Sequence, residues 1–227
     1  MILGIDEAGR GPVIGPLVLC GVWVRRRQLK TLVEIDVRDS KSFGSSGAAR
    51  LRRQQLAGQI RRLAAHVCLL CVDAAEVDRR VRLGELNLLE RELASAIIQS
   101  GPPTKRIIAD GERLFGPLAE AHPGLKAINK ADQVSPVVAA ASIIAKDERD
   151  ARFEEIVADF EGDFGPVKGG GYANPATAAF IEAYFERHGA LPPEVRRSWS
   201  WSVLRDIDRV LAGARPYTKP EQMDLLK

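Results

Sequence analysis

The stretch "GIDEAGRGPVIGP", residues 4–16, constrains this chain more than any other. An apolar run, "MILGID", meets two adjacent acids and a glycine-proline loop, and a second apolar run, "PLVLCGVWV" (16–24), comes next. Apolar runs bounded by Gly and Pro predict two β-strands, with Asp6 and Glu7 where the first strand ends. Two neighbouring carboxylates repel, so three readings arise: a dinucleotide loop, a metal site, or a polar turn.

The spacing excludes the first. Gly9, Gly11 and Gly15 give G-x-G-x-x-x-G, whereas the dinucleotide fingerprint is G-x-G-x-x-G opening a helix. Pro12 also removes a backbone donor, and "LVLCGVWV" after the loop reads as strand rather than a phosphate-cradling helix N-terminus. Taken singly, each strand-end acid reads as a turn residue or helix cap. Repetition favours the metal. Asp110 ends the apolar run "IIADG" and Asp132 ends "NKAD", and strand-end rims are where open α/β sheets place ligands. Carboxylates converging there need cations, and oxygen-only donors suit the hard ions Mg²⁺ or Mn²⁺. The three histidines, His66, His122 and His188, lie outside these motifs.

Further strands are predicted at 66–73, 105–111 and 125–132, and helices at 48–65 and 83–100. Ser135 and Pro136 open a long helix running to about residue 160. A glycine-rich loop, "EGDFGPVKGGGYANP", precedes helical segments near 175–188 and 199–212, and the chain ends in a polar tail from Gly213. This order predicts an α/β domain with a mixed sheet, carrying the helices from 175 onward as an appendage.

At 227 residues, with 45% hydrophobic and 28% charged side chains, the chain suits one large domain with or without an appendage. No apolar run nears the roughly 20 residues that span a bilayer. "ILGID" directly after Met1 carries no secretion-signal pattern, so a soluble, cytoplasmic chain is expected, with no membrane partner and no need beyond a monomer. The net charge of +3 is unevenly spread: "RRRQLK" (25–30) and "RLRRQQLAGQIRR" (50–62) are basic, either phosphate-binding patches or solvated helix faces. The cysteines Cys20, Cys68 and Cys71 suit a reducing compartment. Cys68 and Cys71 point to opposite faces of a strand, so buried structural thiols rather than a zinc site are expected.

The ordered set "GIDEAGRGPVIGP", "DSKSFG" (39–44), "IIADG", "NKAD", "AASIIAKDERD" (140–150), "GGGY" (169–172) and "RRSWSWSV" (196–203) resembles the signature of type 2 ribonucleases H, the ribonuclease HII family. The resemblance covers nearly the whole chain. It implies a ribonuclease H-like fold: a five-stranded mixed sheet flanked by helices, with a catalytic core at 1–165, a substrate-contacting C-terminal helical part at 166–212 and a tail at 213–227. It implies hydrolysis of the RNA strand of RNA/DNA hybrids, with incision 5′ of ribonucleotides embedded in duplex DNA. Asp6, Glu7, Asp110 and Asp132 match the family's acidic quartet and would hold two divalent ions. Gly9, Arg10 and Gly11 match the loop that reads the 2′-hydroxyl, and Tyr172 the tyrosine stacking on the sugar beside the scissile junction. Lys41 and Lys146, with Arg149, would hold phosphates; Lys146 and Arg149 read equally as helix-surface charges.

Two departures stand out. Gly169-Gly170-Gly171-Tyr172 replaces the His-Lys-Gly-Tyr of many bacterial members, which predicts a looser loop, and Asp147 stands where an apolar residue is common. In the tail, "QMDLL" (222–226) resembles a sliding-clamp docking peptide, the alternative being a frayed terminal turn. Two rival functions remain open: a type 3 ribonuclease H acting on longer hybrid tracts, and a non-catalytic hybrid-binding module.

Overall fold

The computed structural model describes residues 1–37, 47–165 and 167–213. Its centre is a five-stranded mixed sheet in the order β3-β2-β1-β4-β5. β1 (Ile2–Ala8), β2 (Leu17–Val24) and β3 (His66–Val72) form an antiparallel meander, while β4 (Ile107–Asp110) and β5 (Leu125–Ile128) run parallel to β1. β1 and β2 are apolar without alternation because both faces of the sheet are covered.

Pleat parity sorts the central strands between two cores. Ile2, Val18, Cys20, Val22 and Val24 face α7 (Pro136–Phe164), and Leu3, Ile5, Leu19 and Trp23 face α4 (Leu86–Ser100). α7 has 29 residues, so it spans about 44 Å. Its first half buries Val137–Ala141 and Ile143–Ala145, small or β-branched side chains that let it lie close on β1 and β2. Pro136 takes the first position of α7 as expected, but the Ser135 side chain makes no capping bond. α1 (Leu29–Glu34) and α2 (Gly47–Leu63) flank α7.

A third cluster joins α8 (Pro175–His188) and α9 (Ser202–Leu211) to the rest. Phe180, Ile181, Phe185, Leu204 and Ile207 pack on Phe153 of α7 and on Val13 and Ile14, which lie just beyond the acid pair. Each such burial contributes about 1.5–3 kcal/mol, so the C-terminal helices and the Gly9–Pro16 loop stabilise each other.

Several expectations need correction. The helix expected at 83–100 begins at Leu86, and α3 (Ala74–Arg82) precedes it, capped by Asp73, whose carboxylate accepts the Glu76 N–H at 2.8 Å. The fifth strand stops at Ile128. Lys130 then adopts φ +57°, and Asp132 sits in the short helix α6 (Ala131–Val134) rather than at a strand end. Of the three cysteines only Cys20 is buried; Cys68 is half-buried and Cys71 exposed, because β3 is an edge strand. The basic run of α2 is not merely a solvated face: Arg50, Arg53 and Arg61 pair with Glu154, Asp150 and Asp147 of α7. No helix among the described residues is long and apolar enough to cross a membrane.

Candidate active site

β1 and β4 are parallel neighbours paired Ile5 to Ala109, so Asp6 and Asp110 come side by side on the face that α7 covers. The backbone N–H of Ala131 donates to Asp110 Oδ1 at 2.7 Å, fastening α6 and with it Asp132 to the end of β4. Asp6, Asp110 and Asp132 thereby each offer a carboxylate oxygen within 4.8 Å of the others. Asp6 and Asp132 are buried and Asp110 half-buried. Glu7, one pleat position further on, is not in this trio and lines the adjoining cavity.

Burial pushes the Asp6 carboxyl well above the usual carboxylate range, and the Glu7 and Asp110 charges push it further, against hydrogen bonds from Ser142 and the Glu7 N–H. A buried group that resists ionisation among like charges is one that a cation would relieve. The donor set is all oxygen, and the residues therefore fit a hard divalent ion. The histidines stand elsewhere: His66 against Trp23, His122 on the Ser95 hydroxyl, His188 against Tyr184 and Phe164.

Beside the trio opens a cavity of about 410 Å³, lined by Glu7, Gly9, Arg10, Gly11, Lys146 and Tyr172 among others. It adjoins a second, of about 650 Å³, through Arg53, Lys146, Arg149 and Tyr172. Gly9 is required where it stands: φ is +84°, and a Cβ there would lie 2.3 Å from the Pro16 carbonyl oxygen. The Arg10 guanidinium turns away from the acids to Glu90, a wholly buried carboxylate on α4, and donates to Asn87 Oδ1 at 2.7 Å.

The Tyr172 ring is exposed and rests on the Arg149 guanidinium, 5.5 Å from its centroid. Arg149 is not a helix-surface charge. It is buried, stacks on Phe153, and donates to the Gly170 carbonyl and to Asp150. The glycine run is tied to its surroundings by hydrogen bonds. Gly169, Gly170 and Gly171 all take positive φ, and the Gly171 carbonyl accepts the Val13 and Ile14 N–H groups at 2.8 and 3.1 Å. The Asn174 amide and the Tyr172 N–H both donate to the Gly169 carbonyl. Positive φ without a Cβ penalty turns each carbonyl toward a partner. Lys146 lines both cavities 3.5 Å from Asp150; burial pulls its ammonium down, with Asp150 opposing. Lys41 and residues 222–226 lie outside the described residues.

Sequence reasoning missed Glu90, Asn87 and Asp78. Asp78 on α3 is buried and accepts the Arg197 N–H, the Ser198 N–H and the Ser198 hydroxyl, anchoring the Arg-Arg-Ser segment. One signal was available, an acid inside an otherwise amphipathic helix.

The comparisons with known proteins agree with this geometry. The family profile for ribonuclease HII matches residues 3–202. The ribonuclease HII of Pyrococcus furiosus is 38% identical over 93% of each chain. The solved ribonuclease H2 of Pyrococcus horikoshii superposes with a TM-score of 0.78 at 31% identity, covering 93% of this chain and 98% of its own. The ribonuclease HII of Archaeoglobus fulgidus, solved as a complex with PCNA, gives 0.74 at 33%, covering 97% and 99%. A profile match across most of the sequence, together with relatives aligned along nearly their full length, means that the chain belongs to the ribonuclease HII family.

Proposed function

We propose that this chain is an endonuclease that hydrolyses the RNA strand of RNA/DNA hybrids and incises 5′ of ribonucleotides embedded in duplex DNA, leaving 3′-hydroxyl and 5′-phosphate ends. The observation that carries this reading is the convergence of Asp6, Asp110 and Asp132 within 4.8 Å, beside a cavity lined by Gly9, Gly11 and Tyr172. These three acids, with Glu7 at the cavity wall, would hold two divalent ions, Mg²⁺ or Mn²⁺. Such ions supply Lewis-acid charge to an in-line displacement at the scissile phosphate.

The chain's own residues position the substrate. The Gly9–Gly11 backbone comes close enough to sense a 2′-oxygen, the group that marks RNA, and Tyr172 presents a ring face to the neighbouring sugar. Lys146, and Lys41 from its matching motif, would contact phosphates, a salt-sensitive contribution without sequence preference. The Archaeoglobus fulgidus complex with PCNA supports clamp docking by this chain, for which 222–226 is the candidate segment. Deleting 221–227 should then abolish clamp pull-down; undiminished binding would remove that idea.

The central test uses duplex DNA with one embedded ribonucleotide, with and without Mg²⁺ or Mn²⁺. Metal-dependent cutting 5′ of the single ribonucleotide is expected. Cutting only within ribonucleotide runs would favour type 3 behaviour, and binding without cutting a non-catalytic module. Asp6→Asn should abolish turnover while leaving hybrid binding measurable. Tyr172→Ala should lower single-site cleavage more than duplex affinity.

A further inference from the structure

The Gly9–Pro16 loop is held through its carbonyls by the segment just after Val195. Arg196 Nη1 donates to the Arg10 carbonyl at 3.2 Å, and its Nε and Nη2 to the Gly15 carbonyl at 3.0 and 2.8 Å. The Arg196 amide donates to the Val13 carbonyl at 2.8 Å, and the Trp199 indole N–H to that of Gly11 at 3.0 Å. Four loop carbonyls are thus taken by one short segment. The loop's amides divide differently. Those of Val13 and Ile14 donate to Gly171 and that of Gly15 to Glu194, whereas among the described residues those of Arg10 and Gly11 donate to no protein acceptor.

A trans peptide holds the C=O of one residue and the N–H of the next in one plane, pointing in opposite directions. Fixing the Arg10 carbonyl on Arg196 therefore fixes the direction of the Gly11 N–H, away from the guanidinium. Arg196 is wholly buried behind the loop, while Gly11 lines the 410 Å³ cavity beside Tyr172. Trp199 stacks on the guanidinium, 4.9 Å to the ring centroid, and burial, aided by Arg149, pulls Arg196 down to about 10, so it stays charged near neutrality. A guanidinium buried on carbonyls stabilises less than an apolar side chain of similar volume. What it adds is a fixed orientation of those carbonyls.

We propose that Arg196 and Trp199 are positioning residues for ribonucleotide selection: by occupying the carbonyls of residues 10, 11 and 15 they present the Gly11 amide to the substrate's 2′-oxygen. This rests on the reading of Gly9–Gly11 as the 2′-hydroxyl sensor. Trp199→Phe removes one donor and keeps an aromatic ring, and Arg196→Lys keeps the charge without a fork that can serve both Arg10 and Gly15. The measurements are kcat/KM on duplex DNA with one ribonucleotide, and Kd for the same duplex made wholly of deoxynucleotides. Trp199→Phe should lower kcat/KM about fivefold, the worth of one neutral hydrogen bond, with Kd for the all-DNA duplex unchanged.

Arg196→Lys should lower kcat/KM further in the same pattern, and if it fails to fold, Trp199→Phe decides alone. Wild-type kcat/KM in Trp199→Phe, or an equal loss of all-DNA affinity, overturns the proposal. A 2′-fluoro nucleotide at the junction separates the two levels. If the wild type cuts it as well as the ribonucleotide, the sensing reading itself fails. If the wild type is slowed but Trp199→Phe keeps full selectivity, only the positioning role falls.

Discussion

Replacing Asp6 by Asn should stabilise the protein stripped of divalent ions while destroying its activity. Asp6 has a carboxylate oxygen within 4.8 Å of oxygens on both Asp110 and Asp132. At an effective dielectric of about 20, like charges at that spacing repel by about 3.5 kcal/mol per pair. Asp110 is half-exposed and its share is screened, and Asn keeps a single acceptor for the Ser142 and Glu7 donors. A net gain of about 2–3 kcal/mol is therefore expected at mildly alkaline pH. For a chain of 227 residues, each kcal/mol moves Tm by about 2–4 °C, which gives a rise of roughly 4–12 °C.

The pH dependence has a definite sign. Because the folded Asp6 pKa is raised, the native state holds a proton that the unfolded chain has released between the ordinary carboxylate range and that raised value. The metal-free wild type should lose stability as pH climbs through this window, and Asp6→Asn should flatten the slope. Added Mg²⁺ or Mn²⁺ should raise the wild-type Tm and the variant's much less. The assay is calorimetry in EDTA and in each metal across pH. If Asp6→Asn melts at or below the wild type in EDTA, the electrostatic account of the acid trio is wrong.

Other substitutions test the supports of the site. The Arg10–Glu90 pair is asymmetric, with the Arg10 side chain 40% exposed and that of Glu90 at 0%. Arg10→Ala should cost about 3–5 kcal/mol by stranding a buried carboxylate, Glu90→Ala only about 1 kcal/mol because the freed guanidinium reaches water, and the double variant should recover most of the Arg10→Ala loss in urea titrations. Equal single losses would refute the asymmetry. Arg149→Met removes the cation beneath Tyr172 and the donor to Gly170; KM for the single-ribonucleotide duplex should rise severalfold with kcat little changed, and an unchanged KM would deny the brace. Trp23→Ala, which empties a wholly buried site and removes the bond to the Pro102 carbonyl, should cost about 3–5 kcal/mol by calorimetry.

The sheet was legible where local pattern and burial agree. β1 and β2 are long apolar runs between Gly and Pro, and Ser135-Pro136 marks the start of α7. α5 (Glu112–Phe115) and α6 are too short for hydrophobic periodicity to register. α3 carries a readable start, Asp73 with Glu76 at the third helical position, but it comes directly after an apolar strand and the acid reads as that strand's end. Asp132 still converges with Asp6 and Asp110 although its element was misread, because position along the chain survives an error in local geometry. The long-range partners were beyond reach: nothing near Arg10 announces Glu90, and nothing in "RRSWSW" says that Arg196 faces carbonyls rather than phosphates. Such pairings depend on how layers stack, which spacing along one chain does not encode.

The arginines of α2 have one more consequence. Counterions condense on unneutralised nucleic-acid phosphates and are released when free protein cations replace them, and this release makes binding fall steeply with salt. Arg50, Arg53 and Arg61 are already matched by acids on α7 and would displace few ions. Affinity for duplex should therefore weaken with ionic strength along a shallower line than the count of basic residues suggests, which leaves shape a larger share of binding in salty surroundings.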